Sequence, residues 1–351
     1  MLRILASLFL ALTLLPTIYA PPIKAPPQSA SPDIVFHPIA VPGSDQTARL
    51  GVFRLEHIWH VTSPNWSFSG YSALLALPKG QLMALTDFSR YVIFTPPGAG
   101  IGDGDPSDAV YRTGQFGELS RKVKDGAPET KGGTLETFDT EGATRDPATG
   151  TIWQSAEGWN AIIRSDAALR SDRQVQPALM QGWGVNTGPE SLVRLHDGRF
   201  VTVRERGRGD LRPTVHDAVF FDGDPIDHPT GHAFAFEGPE NFSVTDMTQM
   251  PDGRILILMR RLIWPVPERF ASRLVIADPS QIRAGGVWKS VEVSKIASTM
   301  PIDNFEGIAV VPRPDGRLTV WIIADDNRST YEKTILWRLS VDPKELPYPR
   351  P

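Results

Sequence analysis

The chain has 351 residues, no cysteine, and 36 basic against 40 acidic side chains for a net charge of −4. That balance lacks the basic excess or stripe of a nucleic-acid binder. The absence of cysteine excludes a disulfide framework, a thiolate zinc site and a cysteine nucleophile. The seven His form no HExxH or HxH pattern, so a metal would need mainly oxygen ligands, and calcium is the expected ion.

Residues 1–20 place Arg3 before an apolar run from Ile4 to Leu15, with Pro16 and Ala20 after it. This is the layout of a secretory signal peptide, or of an uncleaved N-terminal anchor, and is short for a membrane span. A periplasmic or secreted location is expected, with membrane contact only through this segment if it is retained. Residues 21–32 read as a Pro-rich spacer, and 33–344 as one domain.

Asp33 to Val41 and Gly51 to Val61 alternate as strands. After them comes a recurring unit of acidic residue, apolar strand, tight turn, second apolar strand and further charge. The copies begin at Ser72, Glu141, Glu190, Asp246 and Glu306, at intervals of 69, 49, 56 and 60 residues. Their turns are Lys79-Gly80, DPATG at 146–150, Asp197-Gly198, Asp252-Gly253 and Asp315-Gly316. Residues 96–133 are rich in Gly, Pro and Asp and read as a long surface insertion. Strand pairs repeating at such intervals predict an all-β propeller. Six blades are expected, the sixth closed between the N-terminal strands and the alternating run Lys333 to Val341.

Radial repetition turns equivalent positions into rings. Ser72, Glu141, Glu190, Asp246 and Glu306 would form one ring. Asp87, Glu157, Glu205 with Arg206, Arg260 with Arg261, and Asp325 with Asp326 would form another. Antiparallel pairing puts both at one mouth. Several carboxylates around a hole can hold Ca²⁺ through six to eight oxygens, and arginines suit phosphate or carboxylate groups.

The expected catalytic residues are therefore Glu141, Glu190, Asp246 and Glu306. Arg206, Arg260, Arg261 and Trp159 are expected to bind substrate, and Glu157, Glu306, Asp325 and Asp326 to hold metal. Trp183 is a further candidate for substrate contact. His196, His216, His228 and His232 read as solvated loop residues. No GxSxG occurs, which argues against a serine hydrolase. Asp103-Gly104-Asp105 and Asp222-Gly223-Asp224 read as turns and not as calcium loops.

The segments EGATRDPATGTIWQSAEGWNAI, GPESLVRLHDGRFVTVRER, TDMTQMPDGRILILMRR and NFEGIAVVPRPDGRLTVWIIADDN together resemble the phytase-like family, also called esterase-like activity of phytase. Arg260-Arg261 matches that family's ERR, with Met259 in place of the Glu. The resemblance implies an exported propeller with phosphatase or esterase activity. The expectation is a monomeric hydrolase acting on a small anionic phosphate or carboxylic ester with the help of Ca²⁺. A non-catalytic ligand- or protein-binding propeller of the cell envelope and a gluconolactonase-like lactonase remain open.

Overall fold

The computed structural model describes residues 23–24, 29–42, 48–98, 108–119, 139–184, 186–207, 213–265, 268–297 and 299–349. The expected signal peptide, half of the spacer, Asp103-Gly104-Asp105 and much of the 96–133 insertion lie outside them. From the insertion, strands Val110–Thr113 and Gln115–Glu118 are described.

Each predicted hairpin forms the inner half of one sheet. Around the last turn, the Arg317 N–H donates to Asp315 Oδ1 at 3.0 Å and Gly316 takes φ 81, a backbone state that favours glycine. Strand Asn304–Pro312 then pairs antiparallel with Leu318–Asp325, bringing Asn304 opposite Asp325. The equivalent innermost strands of the other sheets are Tyr71–Ala76, Asp139–Arg145, Pro189–Arg194 and Ser243–Gln249. These five strands touch one another in succession and the last returns to the first, closing a ring.

The described residues thus form a propeller of five sheets, four with four or five strands and one with seven. The expectation of six blades is corrected by the closure. Ile335–Val341 pairs with Leu318–Asp325 on one side and with Phe53–Thr62 on the other. Asp33–Ile39 and Val110–Thr113 continue the same sheet outward. The N-terminal strands are the outer half of the last hairpin's sheet and not a separate one. Glu56 reinforces this seam, accepting from Arg313 Nη1 at 3.1 Å with Arg338 Nε 3.2 Å away.

Apolar clusters lie between neighbouring sheets. One joins Leu256, Leu258 and Leu274 to Ile308, Val320 and Trp337; another joins Trp153 and Ile162 to Leu192 and Phe200. Because both faces of each sheet are covered, inner strands read as unbroken apolar runs such as Ile255 to Met259, all fully buried.

Candidate functional site

In every sheet the innermost strand carries one residue more than its partner, near its axial end. The register slips between Tyr71 and Ala73, across Thr140 to Ala143, and between Pro189 and Ser191, Val244 and Asp246, and Phe305 and Gly307. A bulge of this kind re-aims a side chain out of the pleat. The re-aimed residues are Ser72, Glu141, Glu190, Thr245 and Glu306. Glycine follows two of them for a steric reason. A Cβ on Gly307 would lie 2.9 Å from the Leu74 amide nitrogen, and one on Gly142 would lie 2.7 Å from the Glu190 carbonyl oxygen.

Each second strand reaches the level at which the innermost strand begins, placing Asp87, Glu157, Glu205, Arg260 and Asp325 around the first ring. Together they enclose a cavity of about 220 Å³ lined by Asp87, Glu141, Glu157, Glu190, Glu205, Glu306 and Asp325, with Arg206, Arg260, Asn186 and Asn327. Seven carboxylates thus face two guanidinium groups.

Arg260 is the counterweight. Its Nη2 lies 2.9 Å from Glu306 Oε1 and 3.8 Å from Glu205 Oε1. Glu306 Oε1 also accepts from Asn304 Nδ2 at 2.7 Å. Glu157 Oε1 accepts the Gly188 N–H at 2.6 Å. Asp325 Oδ1 accepts the Asn327 N–H at 2.8 Å. Asp87 Oδ1 is buried and has no partner among the described residues.

The pKa shifts follow from crowding out of water. Burial, reinforced by Glu190, holds Glu141 well above the usual carboxylate range, and burial with Glu205 does the same to Glu190. Burial and then Glu306 raise Asp87, while burial and then Asp87 raise Asp325. Glu157 is pushed up to about 7 by burial, against the Gly188 hydrogen bond. Glu306 is raised by burial and pulled back by Arg260. The surrounding carboxylates raise the Arg260 pKa against burial, which lowers it.

Two groups have oxygens within 4.8 Å of one another: Asp139 with Glu141 and Glu157, and Glu157 with Glu190 and Glu205. The acidic cluster can therefore hold a metal ion. The donors are all hard oxygens, a set that suits Ca²⁺, Mg²⁺ or Mn²⁺.

Of the residues expected to do chemistry, Glu141, Glu190, Glu306, Glu157, Asp325, Arg206 and Arg260 line this cavity. Asp246 does not. It sits one residue beyond the bulge, with Oδ2 accepting the Ile308 N–H and Oδ1 the Met247 N–H, each at 2.8 Å. It ties the innermost strands of neighbouring sheets together.

Asp326 also points elsewhere, toward Lys24 Nζ at 3.1 Å and the Ser69 hydroxyl. Arg261 is exposed and outside the cavity lining. Trp159 packs against Ala156, Ala161 and Ile163, and Trp183 lies in the core between two sheets. His216, expected to be solvated, is fully buried on strand Val215–Phe221 with Nδ1 3.1 Å from the Arg204 carbonyl.

Asp139, Asn186, Asn304 and Asn327 were not singled out by the sequence. Asp139 sits opposite Glu157 in the strand register, and its spacing of two from Glu141 was the available signal.

No curated protein matches the chain in sequence. Among solved structures, an endo-arabinase from Bacteroides thetaiotaomicron is 10% identical, with 77% of this chain and 94% of that one covered at a TM-score of 0.46. A gluconolactonase from Xanthomonas campestris is 13% identical, with 92% and 99% covered at a TM-score of 0.39. Likeness at this level carries no functional argument. The Phytase-like family, described as esterase-like activity of phytase, matches residues 67–328, the span that supplies every carboxylate of the cavity. The chain belongs to that Phytase-like family.

Proposed function

We propose that this protein hydrolyses a carboxylic or phosphate ester at the acidic cavity with a divalent cation, Ca²⁺ by preference, as an exported monomer. The observation that carries the reading is the convergence of seven carboxylates from four sheets, with Arg260 from the remaining one, on a single cavity. Such a gathering of like charge is costly unless protons or cations neutralise it. Family membership supports ester chemistry, and the apolar run near the N-terminus supports export.

Glu157 belongs to both oxygen groups and would be the shared ligand, with Glu141, Glu190, Glu205 and Asp139 completing the set. When bound, the cation would polarise the ester oxygen and acidify a water. The chain supplies the rest. Arg260 holds Glu306 in place, and Arg206, largely exposed, stands at the mouth to meet an anionic group. Glu306, which belongs to neither oxygen group and is raised by burial, is poised to take a proton from water or give one to a leaving alcohol.

The excess negative charge favours a neutral ester or lactone over a phosphate ester unless a cation bridges the phosphate. A lactonase is therefore the second reading. The test is a hydrolysis screen on p-nitrophenyl phosphate, p-nitrophenyl acyl esters, lactones and phytate, each with Ca²⁺ and with EDTA. Turnover of at least one ester class that EDTA abolishes is expected. No turnover of any class would overturn the proposal in favour of a binding propeller.

A further inference from the structure

The loop that leaves the acidic cavity builds the wall of a second one. Asp325 faces the acidic cavity, and the next carboxylate, Asp326, lines a separate cavity of about 190 Å³. Asn327 and Arg328 then take left-handed backbone, φ 45 and 50, a state that surrounding contacts must hold for residues other than glycine. The outcome is to place the Arg328 guanidinium against the Phe88 ring, 4.0 Å from its centroid, and into the lining of this cavity.

Two donors there lack acceptors. Thr334 Oγ1 and Arg328 Nε are both buried with no hydrogen-bond partner among the described residues. Thr334 is only 2% exposed. Leaving such groups unsatisfied costs free energy that a ligand acceptor would recover.

The charged groups of the lining are Lys24 and Arg328 against Asp326. Asp326 is neutralised locally, since Lys24 Nζ lies 3.1 Å from its Oδ2. Arg328 makes no direct salt bridge among the described residues, although its charge reaches Asp87 and acts to lower that carboxyl's pKa. Burial first, then Lys333, His37 and Lys24, hold the His60 imidazole below its usual pKa against the pull of Asp326, so the ring adds a neutral polar group to the lining.

The remaining wall is apolar and flat. Trp66 and Phe68 line the cavity, and the Arg90 guanidinium lies 4.3 Å from the centroid of the Trp66 ring, fixing the indole by a cation–π contact.

We propose that this cavity is a second binding site, distinct from the acidic one, for a small organic monoanion: a carboxylate carried on a flat apolar body. The carboxylate would accept from Arg328 and Thr334, as charge-assisted bonds favour. The apolar body would lie along Trp66 and Phe68. One guanidinium without a direct salt bridge, beside neutral donors, matches a monoanion better than a phosphate dianion, and the aromatic wall gives an organic body contacts that an inorganic ion would leave unused.

The test is calorimetric titration of the purified full chain with benzoate, benzamide and inorganic phosphate at fixed ionic strength. Benzoate is expected to bind about ten-fold more tightly than either of the others, the discrimination a charge-assisted bond supplies. Arg328→Gln and Trp66→Ala are each expected to weaken benzoate binding about five-fold or more. If Arg328→Gln fails to fold, Trp66→Ala, altering a partly exposed ring, carries the test. Benzamide binding as well as benzoate would overturn the proposal. So would phosphate binding without benzoate, no benzoate binding at all, or wild-type benzoate affinity in Trp66→Ala. Ca²⁺ affinity is expected to be unchanged in Trp66→Ala, which keeps this result separate from the fate of the acidic cavity.

Discussion

Arg260 Nη2 lies 2.9 Å from Glu306 Oε1, and Arg260 occupies the ring position that each of the other four sheets gives to a carboxylate. It therefore serves two neighbours, Glu306 on one side and Glu205 on the other. Removing it leaves Glu306 buried with no fixed counter-charge, while Glu205 keeps only the largely exposed Arg206 at 3.5 Å. Arg260→Gln is expected to cost about 3 kcal/mol in denaturant unfolding without added metal. Added Ca²⁺ should restore part of that loss. An unchanged midpoint would show that the pair contributes nothing.

The pH dependence has a defined sign. The folded-state pKa of Glu157, about 7, stands above its unfolded value of 4.5, and Asp303 is raised to about 6 by burial. A carboxyl raised on folding contributes stability that is fully present below its unfolded pKa and is lost as pH rises through the folded one. In EDTA, Tm should fall as pH rises from about 4.5 to 7. Because the ligands must lose protons to bind a metal, Ca²⁺ affinity should climb over the same interval. A metal-free Tm that rises through this window would contradict the assignment.

Asp246 and Glu190 should part company. Asp246→Asn exchanges one acceptor oxygen for an NH₂ beside two backbone N–H donors, so Tm should drop while Ca²⁺ affinity stays within about two-fold. Glu190→Gln removes a buried, raised-pKa carboxyl from the crowded ring. Its Tm should hold or rise in EDTA while Ca²⁺ binding weakens by about ten-fold or more. Thermal melts and calorimetry on the two variants distinguish these outcomes.

Closure of the ring rests on strands far apart in sequence. Glu56 on Phe53–Thr62 holds Arg313, in the turn just past Asn304–Pro312, and Arg338 on Ile335–Val341. Glu56→Ala should lower stability by about 2 kcal/mol. It should also speed amide exchange along Ile335–Val341 before the other sheets are affected. Uniform acceleration across all sheets would refute a local seam.

The hairpins were legible because their turns carry chemistry: an acidic side chain that accepts a backbone N–H, then a glycine in a left-handed state, as at Asp315 and Gly316. The convergence of Glu141, Glu190 and Glu306 followed from radial repetition of the hairpins, with antiparallel pairing setting the mouth at which they meet. The number of sheets did not follow, since the partner of Ile335–Val341 is Phe53–Thr62, nearly the whole chain away.

The misplaced Asp246 has a narrower cause. A bulge shifts facing by one residue and leaves no mark in the hydrophobic pattern. The spacing from Thr245 to the turn residue Asp252 equals that from Glu190 to Asp197, seven in each case, and counting back from the turn would have chosen Thr245. Arg261 was misassigned for the related reason that adjacent strand residues point to opposite sides, so that Arg260 alone lines the cavity.

The most direct measurement is calorimetric titration of Ca²⁺ into the metal-free wild type and Glu157→Gln at about pH 7.5, above the Glu157 pKa. The account predicts saturable binding to the wild type and loss of that binding in the variant, because Glu157 is common to both oxygen groups. Absence of saturable binding to the wild type, or equal binding by both proteins, would contradict it.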